Sequence, residues 1–377
     1  MKENKNKKKI QYANVSLLMF VLFAAAGCFT SIMLYQLLYV NTYVDEINIY
    51  AFNIITLLAG FFTSVSLYYI GKLIIGKMAG YRFVSFNFWF LNFIKNQEGK
   101  IICKLGGIKG LGCQLHMAPN KEKPNYVLYL LGGLIFTLPI FLVVMIVSSF
   151  ISQQSDLKYY LIFIFGFIPF VTLGNLVPVR YDSNNDGFLL RLIHKDGTPD
   201  NYHTNLKQYE ALVNGKSELV YQEIDTPHTP FDLEALYYNY YYLIDRNEYT
   251  RALQTSELLI ANSANITEYS MVYLGYAGKI YELCRQKRFE ESDRFFWELK
   301  HDIRSVVRNK NNFESIKICL YVAAYMESNY DEYLNLYYKK DRLSKRYVYL
   351  SRVDKEVQII NDTIKSIQED HKDWFVE

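Results

Sequence analysis

The chain has 377 residues, of which 51% are hydrophobic and 16% aromatic, and its formal net charge is only +3. This small net charge argues against nucleic acid as a partner, because nucleic-acid-binding domains carry a marked excess of Lys and Arg. The five cysteines are scattered and include no Cys-x-x-Cys pair, which fits reduced thiols in a chain that faces the cytoplasm.

Apolar runs in the first half of the chain are long enough to cross a bilayer, since a transmembrane helix needs about 20 predominantly apolar residues. They cover residues 15–38, 51–76, 125–150 and 159–179. The first run follows a lysine-rich segment, as the core of a secretory signal would. It lacks a clean small-residue cleavage site, however, and further spans come after it. The sequence therefore predicts a retained first helix and four spans.

Loop charges predict the orientation of these spans, because Lys and Arg are retained on the cytoplasmic side. The N-terminal tail and the connection 77–124 are rich in Lys and Arg, whereas 39–50 and 151–157 contain neither. We therefore predict a multi-pass protein of the cell membrane, in contact with membrane lipid, with its N- and C-termini in the cytoplasm.

The connection 77–124 contains a predicted β-hairpin. Residues 81–90 are aromatic and partly alternating, and a turn at 96–100 precedes the apolar segment 101–105. So many apolar residues predict that the hairpin dips into the membrane interface or packs on the helices, where its backbone groups find partners. A small cytosolic sheet is the alternative.

The second half of the chain has the composition of a soluble helical domain. Residues 191–229 are interpreted as a linker segment that is loosely helical over 200–222, and 230–377 as a cytosolic helical-repeat domain. Tyr249, Phe289 and Tyr330 recur at spacings of 40 and 41, which predicts stacked helical hairpins of a degenerate tetratricopeptide-like kind. In the tyrosine-rich block 237–242, ring-filled helix packing is favoured over a peptide-binding face.

Segments between residues 60 and 190 carry a family resemblance. They are the glycine and aromatic stretch 76–86, residues 112–119, the phrase Tyr-Leu-Leu-Gly-Gly that ends in Gly132 and Gly133, Asn175-x-x-Pro178, and Asp186-Gly187. In this order they resemble the site-2-protease-type intramembrane zinc metalloproteases, particularly a Gram-positive bacterial branch. The resemblance implies a bacterial protein whose residues 1–190 form a four-span membrane domain. It also implies a client cleft at Asn175, Pro178, Gly132 and Gly133.

The residues that give this family its chemistry are absent from the chain. In the family, two histidines one helical turn apart and the aspartate of Asp-Gly hold zinc, while a glutamate activates the bound water. The matching histidine positions here are Tyr68 and Lys72, the glutamate position is Tyr69, and only Asp186 is retained. A lysine ammonium has no lone pair for a metal and repels a dication. We therefore predict no catalytic residue, no metal and no cofactor.

Other metal ligands are sparse. Cys113 and His116 form a Cys-x-x-His phrase near Cys103, and His194 follows Asp186 closely. A single phrase of this kind is far below a zinc signature, so roles in packing or at the surface are favoured. The soluble half contains no glycine-rich phosphate loop, serine-nucleophile elbow or kinase phrase.

These observations predict a mostly α-helical pseudoprotease. It would bind or scaffold a membrane-associated peptide or protein client, or a partner such as an active protease or a peptide exporter. One alternative is an active membrane metallopeptidase with unorthodox ligands. The other is a structural or immunity-type membrane protein whose ancestral cleft is closed. Fold analogy does not identify the client.

A specific hypothesis concerns the charge that the lost motif leaves behind. A buried carboxylate without a counterion is costly, so we expect the Lys72 ammonium to replace the zinc and pair with Asp186. A hydroxyl of Tyr68 or Tyr69 would donate a further hydrogen bond. The alternative is that Lys72 extends to the lipid headgroups while Asp186 caps a turn.

Overall fold

A computed structural model describes residues 46–88, 91–96, 98–105, 113–152, 156–178, 185–196, 198–214, 221–263, 269–345, 347, 349 and 352–375. Over these residues the protein is mostly helical, with a small antiparallel sheet. The chain divides into two compact units. Unit 1 combines Met1–Arg82 with Asn120–Gly197, and unit 2 combines Phe83–Pro119 with Thr198–Glu377. The first predicted span, 15–38, lies outside the described residues.

Unit 1 is helical. Its described helices are α1 (Glu46–Met78), α2 (Tyr126–Leu130), α3 (Gly132–Phe150), α4 (Asp156–Phe165), α5 (Ile168–Leu176) and α6 (Asp186–Asp196). Helix α1 packs against α3, α4 and α5. Two stretches are long and apolar enough to cross a membrane, namely Leu58–Met78 in α1 and the whole of α3. They correspond to the predicted spans 51–76 and 125–150.

The last predicted span, 159–179, is not one continuous helix. It is divided between α4 and α5, each of which is too short to span a bilayer alone. Pro169 lies in the first turn of α5, where its missing N–H and fixed φ favour a helix start. Gly166 lies in the break between the two helices, so the local residues interrupt an otherwise apolar run.

The sheet belongs to unit 2 and has the strand order β3-β2-β1-β4. Its strands are β1 (Tyr81–Phe88), β2 (Leu91–Lys95), β3 (Ile101–Leu105) and β4 (Cys113–Pro119). The predicted turn at 96–100 is confirmed, because it joins the antiparallel pair β2 and β3, with Phe93 opposite Cys103. Strand β1 lies within the predicted strand segment 81–90, and β2 and β4 extend the predicted hairpin to four strands.

The predicted linker 191–229 contains a helix that covers this sheet. Helix α7 (Pro199–Asn214) contacts β4 and also packs on the first helix of the C-terminal region. Its residue Val213 is buried together with Val84, Ile94 and Ala118 of the sheet. The Tyr209 hydroxyl lies 3.0 Å from Ser85 Oγ. One face of the sheet is therefore a packed face of unit 2, an arrangement that the linker interpretation did not predict.

Paired helices predicted for 230–370 are confirmed. The helices are α8 (Pro230–Asp245), α9 (Tyr249–Ala261), α10 (Tyr269–Arg285), α11 (Phe289–Glu298), α12 (His301–Val307), α13 (Ile316–Tyr321), α14 (Tyr330–Ser344) and α15 (Val353–Asp370). A π-helical turn (Val322–Met326) follows α13, and a 3-10 turn (Lys372–Phe375) follows α15. Within the tyrosine-rich block, Tyr238, Tyr240 and Tyr241 are buried, which confirms ring-filled packing.

The repeat is visible in the backbone. Asn247, Lys287 and Ser328 each stand two residues before a repeat residue, and their φ angles are 60°, 59° and 50°. Non-glycine residues rarely adopt this left-handed conformation, which closes the C-terminal ends of helices. Three turns of the same kind therefore precede α9, α11 and α14.

The change in spacing from 40 to 41 also has a structural cause. In the first two turns, the amides of Glu248 and Arg288 donate to the carbonyl oxygens five residues earlier, each at 2.9 Å. In the third turn, the Asn329 amide donates to Ala323 O, six residues earlier, at 2.8 Å. A π-helical turn accommodates one additional residue in a helix. The π turn Val322–Met326 thus absorbs the extra residue of the third repeat.

Candidate functional site

The candidate site lies within unit 1, where α1, α2, α3 and α6 meet. Tyr68 and Lys72 are separated by one turn of α1, so their side chains leave the same face of that helix. Asp186 is the first residue of α6. The structure thus brings together Tyr68, Lys72 and Asp186, the three positions that the family resemblance matches to zinc ligands.

An ion pair joins these positions. Lys72 Nζ donates to Asp186 Oδ1, and the Tyr68 hydroxyl donates to Asp186 Oδ2 at 2.8 Å. The exposed fractions of the Lys72 and Asp186 side chains are 7% and 6%, and Tyr68 is fully buried. The hypothesis that Lys72 pairs with Asp186 is therefore confirmed, and Tyr68 is the tyrosine that supplies the added hydrogen bond. The alternative that Lys72 extends to the headgroups is wrong for this structure.

Asn185, rather than Asp186, caps helix α6. Asn185 Oδ1 accepts a hydrogen bond from the Phe188 amide at 2.9 Å, which is the usual bond of an N-cap side chain. Asn185 Nδ2 donates to Val177 O at 2.7 Å and to Gly174 O at 3.1 Å. Because Asn185 satisfies the helix end, the Asp186 carboxylate is directed to Lys72 and Tyr68 instead.

Glycines allow these elements to approach each other closely. A Cβ atom on Gly187 would lie 1.8 Å from Leu176 O, so the residue after Asp186 must be small for α6 to start against the end of α5. A Cβ atom on Gly133 would lie 2.4 Å from Tyr68 Cε2, and one on Gly132 would lie 3.2 Å from the Lys72 Cα atom. The start of α3 therefore packs directly on the site face of α1.

The residues predicted to line a client cleft thus lie in two different settings. Gly132 and Gly133 are buried under Lys72 and Tyr68. Asn175 is half-buried and its side-chain amide donates to Val171 O at 2.8 Å within α5, while Pro178 is exposed. In this structure the Tyr68 ring fills the space beside Gly133.

Tyr129 completes the site and was missed by the sequence interpretation, which used it only as part of a phrase. Lys72 Nζ lies 4.9 Å from the centroid of the Tyr129 ring, a cation–π distance. The Tyr129 ring stacks in turn on Tyr81, with centroids 4.5 Å apart. An aromatic residue one turn before the Gly-Gly pair was the available signal. Tyr69, at the former glutamate position, makes an edge contact with Tyr68 at 5.5 Å between centroids.

The donor set does not fit the zinc that the family resemblance implies. Zinc requires three or four lone-pair ligands, and here an ammonium and a hydroxyl donate to the Asp186 carboxylate. The described residues contain no group of three or more His, Cys, Asp and Glu that could hold a metal ion. At the Cys-x-x-His phrase, the His116 ring stacks on Tyr209 at 4.2 Å between centroids, which is a packing contact.

The arrangement holds α1 against the start of α6. Each oxygen of Asp186 accepts one hydrogen bond from a side chain of α1, so the carboxylate connects the two helices. Comparisons of the chain with protein-family models, with curated proteins and with solved structures found no match. The chemistry of the site is therefore argued from its geometry alone.

Proposed function

We propose that the chain is a catalytically inactive membrane protein that uses the scaffold of a site-2-protease-type metalloprotease. One observation carries the proposal: Tyr68, Lys72 and Asp186, the three positions at which the family would place its zinc ligands, converge within hydrogen-bond distance. The ammonium of Lys72 supplies the positive charge that the family obtains from the metal. The two helices of spanning length support placement in a membrane. We further propose a multi-pass topology with cytoplasmic termini.

The proposed role is to bind or scaffold a membrane-associated peptide or protein, including an active protease or an exporter as a partner. Exposed rings in the helical hairpins of unit 2 support a protein-binding role for that unit, since large exposed aromatic residues are common in interfaces. Trp297 and Tyr338 are 50% and 73% exposed. On this proposal, the hairpins form a tetratricopeptide-like repeat that contacts the partner.

A second candidate function is supported by the packing of the site. The Tyr68 ring lies against Gly133 and is fully buried, as expected if the ancestral cleft is closed and the membrane unit has a structural or immunity-type role. The two candidates differ in where a partner would bind. Photocrosslinkers at Pro178 and at Trp297 in the intact protein, activated in its native membrane, distinguish them. Capture at Pro178 indicates an open cleft, and capture at Trp297 alone favours binding through unit 2.

Restoring the metal site tests the scaffold itself. The triple variant Tyr68→His, Tyr69→Glu and Lys72→His returns the family motif opposite Asp186. We expect this variant to bind about one zinc per chain, as a His, His and Asp set does in catalytic sites. Elemental analysis of the purified protein measures the zinc, and adding Asp186→Ala should abolish its retention.

Two outcomes would contradict the proposal. One is a folded triple variant that retains no zinc, because the three positions would then lack the geometry of a metal site. The other is a wild-type protein that holds about one zinc per chain and loses it on Asp186→Ala, since that would indicate an active metallopeptidase with unorthodox ligands. Circular dichroism of each variant establishes that it is folded.

A further inference from the structure

Glu282 of α10 is a buried carboxyl group in the core of unit 2. Its exposed fraction is 0%. Its Oε2 atom accepts a hydrogen bond from Arg285 Nε at 3.3 Å, but Oε1 has no hydrogen-bond partner among the described residues. A buried, ionised carboxylate with an unpaired oxygen is costly, because burial removes the water that would solvate it.

Two buried cations of the same core, Lys317 and Arg352, are engaged by a different carboxylate. Lys317 Nζ of α13 donates to Glu356 Oε2 of α15 at 2.8 Å, and Arg352 Nη2 donates to Glu356 Oε1 at 2.9 Å. Glu356 therefore has two cationic partners, whereas Glu282 has only the partly exposed Arg285. Titratable and charged groups that interact electrostatically with Glu282 lie on its own helix and on three others. They are Tyr281 and Arg285 on its own helix, Tyr240 on α8, Tyr249 on α9, and Lys317 and Tyr321 on α13.

These contacts shift the pKa values of the two buried glutamates, Glu282 and Glu356, in opposite directions. Burial raises the pKa of Glu282 to about 7, and the charge and hydrogen bond of Arg285, together with Lys317, oppose the shift only in part. Burial acts in the same direction on Glu356, but Lys317 and Arg352 outweigh it and lower the pKa of that group. Near neutral pH, the protonation of Glu282 can therefore change while Glu356 stays ionised.

We propose that Glu282 is a proton-sensitive element in the core of unit 2, neutral and well packed when protonated, and loosening α10 against α13 when it ionises. Because Glu282 lies in a packed core, its ionisation affects how α10 packs on the neighbouring helices. Helix α10 contacts α9, α11 and α13, so a change at Glu282 acts on the middle hairpin of the repeat. The inference concerns unit 2 alone and does not depend on the proposed membrane function.

The direction of the effect follows from proton linkage. The folded state holds the proton of Glu282 more tightly than the unfolded state, so this group makes the protein less stable as pH rises from its unfolded pKa to its folded pKa. Above the folded pKa the effect is constant. From the raised pKa of about 7, the equilibrium constant for opening of α10 should increase about tenfold between about pH 6 and about pH 8.

Hydrogen exchange of the full-length protein in detergent micelles tests this inference. The variant Glu282→Gln keeps the shape of the protonated group and cannot ionise. We expect the ratio of wild-type to Glu282→Gln exchange rates of the α10 amides to increase about tenfold between about pH 6 and about pH 8. Comparing both proteins at each pH removes the intrinsic effect of pH on exchange. The variant Glu257→Gln is the control, because Glu257 is 51% exposed and pairs with Lys279 at the surface.

A ratio of wild-type to Glu282→Gln exchange that does not change with pH would overturn the proposal. The internal comparison between α10 and α14 amides in the wild type provides a second measurement if the variant does not fold. If the exchange of α10 relative to α14 fails to increase between about pH 6 and about pH 8, Glu282 does not act as a proton-sensitive element.

Discussion

The buried pair of Lys72 and Asp186 gives the sharpest stability prediction. Lys72→Met removes the ammonium and leaves a carboxylate that is 6% exposed with only the Tyr68 hydroxyl as a donor. Breaking a buried pair by removing one partner costs about 3–5 kcal/mol, because the remaining charge is uncompensated. Lys72→Met should therefore destabilise the protein by roughly that amount. Asp186→Leu should cost somewhat less, since the isolated ammonium keeps the Tyr129 ring at 4.9 Å.

The double variant removes both charges, so it measures the cost of losing the ion pair without the cost of leaving an unpaired charge. Lys72→Met with Asp186→Leu leaves no unpaired charge and keeps the apolar volume, so it should recover all but about 1–2 kcal/mol of stability. The coupling energy of the double-mutant cycle should then be about 3 kcal/mol or more. Reversible unfolding in detergent micelles, followed by circular dichroism, measures all four proteins.

An exposed pair in the same chain serves as the matched control. Lys100 and Glu98 lie 3.0 Å apart with side chains 78% and 66% exposed. Their coupling energy, from Lys100→Met and Glu98→Leu, should be about 0–1 kcal/mol, as is typical of surface pairs. If the cycle on Lys72 and Asp186 also gives less than about 1 kcal/mol, the buried pair does not replace the structural role of a metal.

Three further predictions test the packing. Gly133→Ala should destabilise the protein by about 1–3 kcal/mol through a clash with the Tyr68 ring, and combining it with Tyr68→Ala should reduce that cost in the same unfolding assay. Deleting Ala324 from the π turn should convert it to α-helix and leave the circular dichroism spectrum of the protein unchanged, whereas a loss of helical signal would show that the turn does not absorb an inserted residue. Burial raises the pKa of the Cys284 thiol to about 12, so an alkylating reagent at neutral pH should modify exposed Cys103 and spare Cys284 until the protein unfolds.

The core of the site could be predicted because it depends on helical spacing. Tyr68 and Lys72 are four residues apart on a strongly apolar helix, so they share a face wherever that helix packs. A buried aspartate also requires a counterion, which restricts the choice to the nearest cation. The contact with Tyr129 depends instead on how α2 packs against α1, and spacing along one helix contains no such information.

The packing of α7 could not be predicted from the sequence, and this also has a physical cause. Helix α7 lies in the segment interpreted as linker, and its buried face includes polar residues, among them Asn205, Gln208 and Asn214. Asn205 Nδ2 donates to Phe231 O at 2.9 Å, a partner distant in sequence that hydropathy does not reveal. Similarly, the apolar composition of 159–179 predicts a helix but does not show that Gly166 and Pro169 divide it. The composition of a segment indicates that it is buried, whereas the positions at which a helix breaks depend on single residues.

Charge balance gives the membrane site its physical meaning. A zinc ion bound to two neutral histidines and one aspartate leaves a net positive centre that can activate water. Lys72 with Asp186 instead forms a pair of zero net charge, which has no excess positive charge with which to polarise a bound water. Together with the Tyr68 hydroxyl, the pair links α1 to the start of α6 through two hydrogen bonds, one of which is also the ionic contact. On the proposed function, a tethered ammonium in place of a dication preserves the connection between these helices while removing the electrostatic basis for hydrolysis.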